Sequence, residues 1–146
     1  QESNNMIEVY LNFNGQAREA ANYYAGVFGA PAPYIMAMGE MPKESPEDEL
    51  PAGSDNLVAY ANVKTFAGDL MLSDDFPGGP QLVPNGAFWI TLSHEDRARL
   101  RQVFDALARD GQVLMPLAPT FFNPLYGQVK DRYGFHWMVM VTEDQP

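Results

Sequence analysis

The sequence predicts an α+β fold, with two βαβββ modules at about residues 6–75 and 86–142 forming a partly open, β-barrel-like sheet with flanking helices. Three observations predict it. The order strand, helix, strand, hairpin can be read twice along the chain. A stretch punctuated by Pro and Gly, residues 76–85, separates the two readings. The length of 146 residues and the 46% hydrophobic content suit one domain with a sizeable core and are too little for two ordinary domains.

The first module opens on Met6–Phe13, an alternating run rich in β-formers. Asn14-Gly15 breaks that strand and can start a helix. Ala17, Ala20, Ala21, Tyr24, Val27 and Phe28 then recur at helical spacing, and Gly29 is placed to stop the helix. A strand over Tyr34–Met38 follows. Residues 39–55 combine prolines, glycines and acidic side chains, which predicts a loop, with a flap over a site as its possible role. Leu57–Thr65 and Asp69–Ser73 read as a hairpin turning at Phe66-Ala67-Gly68.

The second module repeats the order. Phe88–Leu92 alternates as a strand, and Ser93 followed by Asp96 resembles a capping box. Leu100, Val103, Phe104 and Leu107 give a helical stripe that ends before Gly111. Val113–Leu117 is the next strand, and Leu125–Lys130 with Phe135–Val141 forms the last hairpin around Asp131-Arg132-Tyr133-Gly134. The halves share an outline rather than an obvious repeated sequence. A lone βαβββ unit leaves one sheet face uncovered, whereas two together can enclose a ligand.

Composition excludes several function classes. The chain has no cysteine, so disulfides, thiolate nucleophiles and Cys-based metal sites are ruled out. No apolar run reaches the roughly 18 residues of a membrane span. Residues 1–5 and 143–146 are expected as flexible ends. The polar start lacks a signal-peptide layout, which makes the cytoplasm the expected location. A net charge of −10, with nine scattered Lys and Arg, argues against nucleic acid, which demands clustered cations. Acidity could steer a cationic ligand, although solubility is the simpler account.

Tyr10-Leu11-Asn12-Phe13-Asn14-Gly15, then Glu19-Ala20, Tyr24 and Phe28-Gly29, resemble the opening of PhnB-like proteins. That branch belongs to the vicinal oxygen chelate superfamily, which includes glyoxalase I, extradiol dioxygenases and bleomycin-resistance proteins. Leu70-Met71-Leu72-Ser73-Asp74 with Pro77-Gly78, Met115-Pro116-Leu117, and Gly127 followed by Asp131-Arg132-Tyr133-Gly134 and Trp137-Met138 extend the resemblance over about residues 6–142. It implies paired βαβββ modules and often a homodimer. It also implies, in catalytic members, a divalent metal held by four side chains, usually His and Glu, from first and last strands of the modules.

At the corresponding positions this chain carries Val9 and Tyr10, Tyr60 and Asn62, Ala87 to Trp89, and Met138. None is a usual ligand for such an ion, so no metal and no cofactor are expected. The family's methyltransferase label finds no glycine-rich cofactor loop here. His94 is expected in the first helical turn. His136 is expected to face away from Trp137 by strand alternation. Asp74 and Asp131 are better suited to holding turns than to acid–base work. No catalytic residue can be named, and no nucleophile or phosphate-loop motif is present.

What remains is aromatic and amide-rich. Tyr10, Asn12, Tyr60, Asn62, Asp74, Trp89, Met115, Phe121 and Trp137 are the candidate ligand-pocket residues. Asn12, Tyr60 and Asn62 would orient a ligand by hydrogen bonds in an otherwise apolar cavity. Phe121-Phe122 lie in a connection, where they could cap a pocket or meet a second subunit. The expectation is a metal-independent homodimer that binds a small organic molecule between its modules, with neither membrane nor nucleic acid as partner. The alternative is a glyoxalase-like lyase or isomerase, or a dioxygenase-like enzyme, using a non-standard site.

Overall fold

The structure, a computed structural model, describes residues 5–43 and 49–142. Contacts divide the chain between Leu82 and Val83 into two compact units. Among the described residues, each unit holds four strands and one α-helix. The fold is α+β, built from two βαβββ modules, as the element order predicts.

The first unit contains β1 (Val9–Phe13), α1 (Ala17–Phe28), β2 (Tyr34–Ala37), β3 (Val58–Thr65) and β4 (Gly68–Asp74). The strands form an open sheet in the order β1-β4-β3-β2, with β1 parallel to β4 and the other pairs antiparallel. One face is apolar because strand alternation collects Leu11, Ala61, Val63, Leu70 and Leu72 there. Helix α1 covers that face with Ala17, Ala20, Ala21, Tyr24, Val27 and Phe28. The alanines allow close approach to the strands, and Gly29, at φ 61°, ends the helix in the left-handed region.

Two details differ from the sequence reading. Strand β1 starts at Val9 rather than Met6, because pairing with β4 begins at Val9–Leu70. Asn14 does not cap α1: its Oδ1 accepts from the Leu82 amide at 2.9 Å. The cap comes from a distant residue. Asp74 Oδ1 accepts from the amides of Gly15 and Ala17, both at 2.9 Å, and Oδ2 from Val58 at 2.9 Å. In the 39–55 segment, a short 3-10 turn spans Met38–Glu40. The amides of Met38 and Gly39 bond Leu57 and Asp55, closing the segment at its base. Its centre lies outside the described residues, as do most of the two ends expected to be flexible.

The second unit contains β5 (Trp89–His94), α2 (Arg97–Arg109), β6 (Gln112–Ala118), β7 (Tyr126–Lys130) and β8 (His136–Val141), with sheet order β5-β8-β7-β6. Ile90, Val129, Trp137 and Val139 face α2, which buries Leu100, Val103, Phe104 and Leu107. Ser93 and His94 continue β5 by pairing with Met140 and Val141. The cap of α2 is therefore Asp96, which accepts from the Arg99 amide at 3.1 Å, and not Ser93. His94 ends the strand instead of entering the helix, and its Nδ1 accepts from the Asp96 amide. Strand β6 is an edge with irregular register, where Pro116 lacks the donor an inner strand would need.

A candidate ligand-binding face in each module

The face of each sheet turned away from its helix carries the polar and aromatic side chains. In the first module one row runs Tyr10–Met71–Asn62–Tyr34 across all four strands. The next row places Asn12 beside Ser73 and Tyr60 beside Met36. Asn62 Nδ2 donates to the Tyr60 hydroxyl at 3.1 Å, and Ser73 Oγ donates to Asn12 Oδ1 at 3.1 Å. Tyr34 flanks Tyr60, with ring centroids 6.2 Å apart. A concavity of about 420 Å³ opens here, lined by Pro31, Ala32, Tyr34, Tyr60, Asn62 and Lys64. Lys64 at its rim is paired with Asp69 at 3.4 Å.

Asn62 Oδ1 is buried without a hydrogen-bond partner. Turning the amide over would exchange oxygen and nitrogen, so one end of the group stays unsatisfied in either orientation. Buried polar atoms are nearly always paired, by a ligand or water where the protein supplies nothing.

The second module repeats the pattern with different chemistry. Its rows are Trp89–His136–Lys130–Gln112, Thr91–Met138–Gln128–Met115 and Ser93–Met140–Tyr126–Ala118. Gln128 Nε2 donates to the Tyr126 hydroxyl at 2.9 Å. Trp89 stands edge-on to His136 at 4.8 Å and donates from Nε1 to the Gly86 carbonyl at 2.8 Å. His136 Nδ1 is buried without a partner.

Of the candidate residues, Tyr10, Asn12, Tyr60 and Asn62 share the helix-free face of the first module, and Trp89 and Met115 that of the second. Asp74 and Trp137 lie on the other side. Asp74 is the helix anchor described above. Trp137 is 1% exposed in the core under α2, where Nε1 donates to Asp131 Oδ2 at 2.9 Å. Asp131 Oδ1 accepts from the Tyr133 and Phe135 amides, so it fixes the β7–β8 turn. Phe121 is fully exposed on the β6–β7 connection.

Sequence reasoning missed Tyr34, Lys64, Met71 and Ser73. It also missed a repeat. Tyr60-Ala61-Asn62-Val63-Lys64 of β3 returns as Tyr126-Gly127-Gln128-Val129-Lys130 of β7. That pentapeptide, read with strand alternation, marks the third strand of each module and the polar pair on it.

The donor set does not fit the metal that the resemblance implies. On the helix-free faces, the rows across β1, β4, β5 and β8 offer phenol, amide, hydroxyl and thioether groups and, among the described residues, a single imidazole, His136, where a divalent ion of this class needs several carboxylates and imidazoles together. Among the described residues, no three His, Asp or Glu side chains converge as metal ligands.

A family model described as 3-demethylubiquinone-9 3-methyltransferase matches residues 5–140. The chain belongs to this PhnB-like family. The family member is 33% identical over 145 residues to Protein YjdN of Escherichia coli K12, covering 96% of this chain and 97% of that one. It matches the crystal structure of protein PA1353 from Pseudomonas aeruginosa with a TM-score of 0.76 at 30% identity, covering 95% and 100% of the two chains. A PhnB protein from Bacillus cereus, bearing the same methyltransferase description, matches with a TM-score of 0.68 at 25% identity, covering 94% and 100%. The fold is shared more widely. A glyoxylase/bleomycin resistance protein/dioxygenase domain from Frankia matches with a TM-score of 0.65 at 11% identity, covering 99% and 96%.

Proposed function

We propose that this PhnB-like chain is a metal-independent binding protein for a small organic molecule, with the helix-free face of the first module as its principal contact. One observation carries the reading. Tyr10, Asn12, Tyr34, Tyr60 and Asn62 line up on the one face of the sheet that α1 leaves free, beside a concavity of about 420 Å³, with an amide left unsatisfied. An apolar and aromatic lining with a few convergent polar groups is the usual composition of a small-molecule site, and the volume falls in the usual range of roughly 300–1,000 Å³.

The glyoxalase/bleomycin-resistance fold supports this reading, and the donor set favours its metal-free form. A cytoplasmic homodimer is the assembly we propose. The edge strand β6 exposes Val113 and Leu114, and Phe88 and Phe121 add further exposed apolar surface, as expected of a face that a second copy covers. Among the described residues, no helix is long and apolar enough to cross a membrane.

Native mass spectrometry with elemental metal analysis, on protein purified without added metal, tests the proposal. A dimer without stoichiometric metal that retains or takes up a small organic molecule is the expected result. One tightly held metal per chain would overturn it. The enzyme reading would then lead, with His136, whose buried Nδ1 has no partner, as the first residue to replace.

A further inference from the structure

The two modules carry one strand device in two states. In β3 and in β7 a tyrosine hydroxyl accepts a hydrogen bond from the amide two residues further on, at 3.1 Å for Tyr60–Asn62 and 2.9 Å for Tyr126–Gln128. Both pairs stand on the face turned away from the module's helix. What lies in front of the tyrosine ring differs.

Four residues before Tyr126 comes Phe122, whose ring meets that of Tyr126 edge-on, with centroids 4.9 Å apart and planes at 72°. Phe121 packs on Phe122 at 5.1 Å. Tyr126 is only 5% exposed. Four residues before Tyr60 comes Asn56, which has no ring and whose carbonyl accepts from Arg18 Nη2 at 3.2 Å. Tyr60 has the Tyr34 ring of the neighbouring strand at its side, with centroids 6.2 Å apart, and both border the open concavity.

We infer that Tyr60 and Asn62 form the seat for one aromatic ring of the ligand, and that Phe122 permanently fills the copy of that seat in the second module. This deepens the binding reading above and rests on it. The second module shows what the device holds: a ring, presented edge to face, in the geometry that aromatic quadrupoles favour. The ring in the first seat carries a group that both accepts and donates a hydrogen bond. The Tyr60 hydroxyl takes the Asn62 proton and gives its own to no described residue, while the Asn62 amide keeps an unsatisfied end. Lys64 is offset by Asp69, so the seat calls for an uncharged ring. An aromatic carboxamide or phenol fits this chemistry.

The test is a titration of the ¹⁵N-labelled full chain with benzamide, and with cyclohexanecarboxamide as the saturated control, followed by amide chemical shifts. Benzamide is expected to move signals from β3 and from residues 31–34, binding roughly tenfold tighter than the control. Tyr60→Ala is expected to abolish those shifts. Phe122→Ala is expected to gain a second benzamide site, read as new shifts in β7. If Phe122→Ala loses its dispersed spectrum, Asn56→Phe reads the same point from the other module, since a ring supplied there should close the seat and block benzamide. Equal binding of the two amides would overturn the inference. So would Phe122→Ala without a second site in a folded protein, or undiminished benzamide binding to Asn56→Phe. If the aromatic preference fails while mass spectrometry shows another small molecule retained, the ligand class is wrong and the binding reading stands. If no small molecule is bound by either method, the binding reading itself falls.

Discussion

Asp74 shows how one side chain can hold three parts of a module. Its carboxylate accepts from Gly15, Ala17 and Val58, joining the β1–α1 turn, the first turn of α1 and the start of β3. With 6% of its surface exposed, little water can replace it. Asp74→Ala would orphan two buried donors, on Ala17 and Val58, and a part-buried one on Gly15; at about 1–3 kcal/mol for each buried unpaired donor, a loss of about 2 kcal/mol or more is expected. Asp74→Asn keeps one acceptor oxygen and should lose roughly half as much. Urea unfolding midpoints decide this, and a change below about 1 kcal/mol for the alanine variant would show that the anchor is dispensable. Sequence alone could identify Asp74 as a turn-holding carboxylate. It could not show that the turn belongs to a strand and helix some 60 residues earlier, because that contact exists only once β4 lies beside β1.

At the scale of elements, alternation and helical spacing made the strands and both helices legible, since burying one face of each is what the fold requires. Ends were less legible. Ser93 looks like a cap by local pattern, but pairing with Met140 keeps it in β5 and moves the cap to Asp96. Trp137 looked available to a ligand because type suggests a pocket and only the sheet decides the face. The repeat in β3 and β7 carries a difference with a measurable consequence. Ala61 of β3 sits buried under α1, whereas its counterpart Gly127 admits no side chain. A Cβ there would lie 2.8 Å from Phe104 Cε1 and 2.9 Å from Leu117 Cα. Gly127→Ala must push α2 or β6 outward and is expected to destabilise by about 1–3 kcal/mol. Ala61→Gly, which leaves only a methyl-sized gap and a looser strand, should lose about 1 kcal/mol. Thermal unfolding of the two variants side by side tests this. Equal losses would mean that α2 is not closely seated on β7.

For the whole molecule, the question is whether stability is coupled to a metal. A ligand that binds only the folded chain stabilises it by about 2.7 kcal/mol at one hundred times its dissociation constant, which for a chain of this size raises the melting temperature by roughly 5–10 °C. Thioethers, amides and phenols of the kind that occupy the central rows of both faces hold divalent ions poorly, and no three carboxylate or imidazole groups converge among the described residues. Neither chelation with EDTA nor addition of zinc, nickel or manganese is therefore expected to move the melting temperature by more than about 1 °C. Benzamide should raise it in a concentration-dependent way, and Tyr60→Ala should remove that rise while leaving the response to metals unchanged. A metal-induced rise that survives in Tyr60→Ala but disappears in His136→Asn would place the donors on the second module and make the metal, not the aromatic seat, the centre of this protein's chemistry.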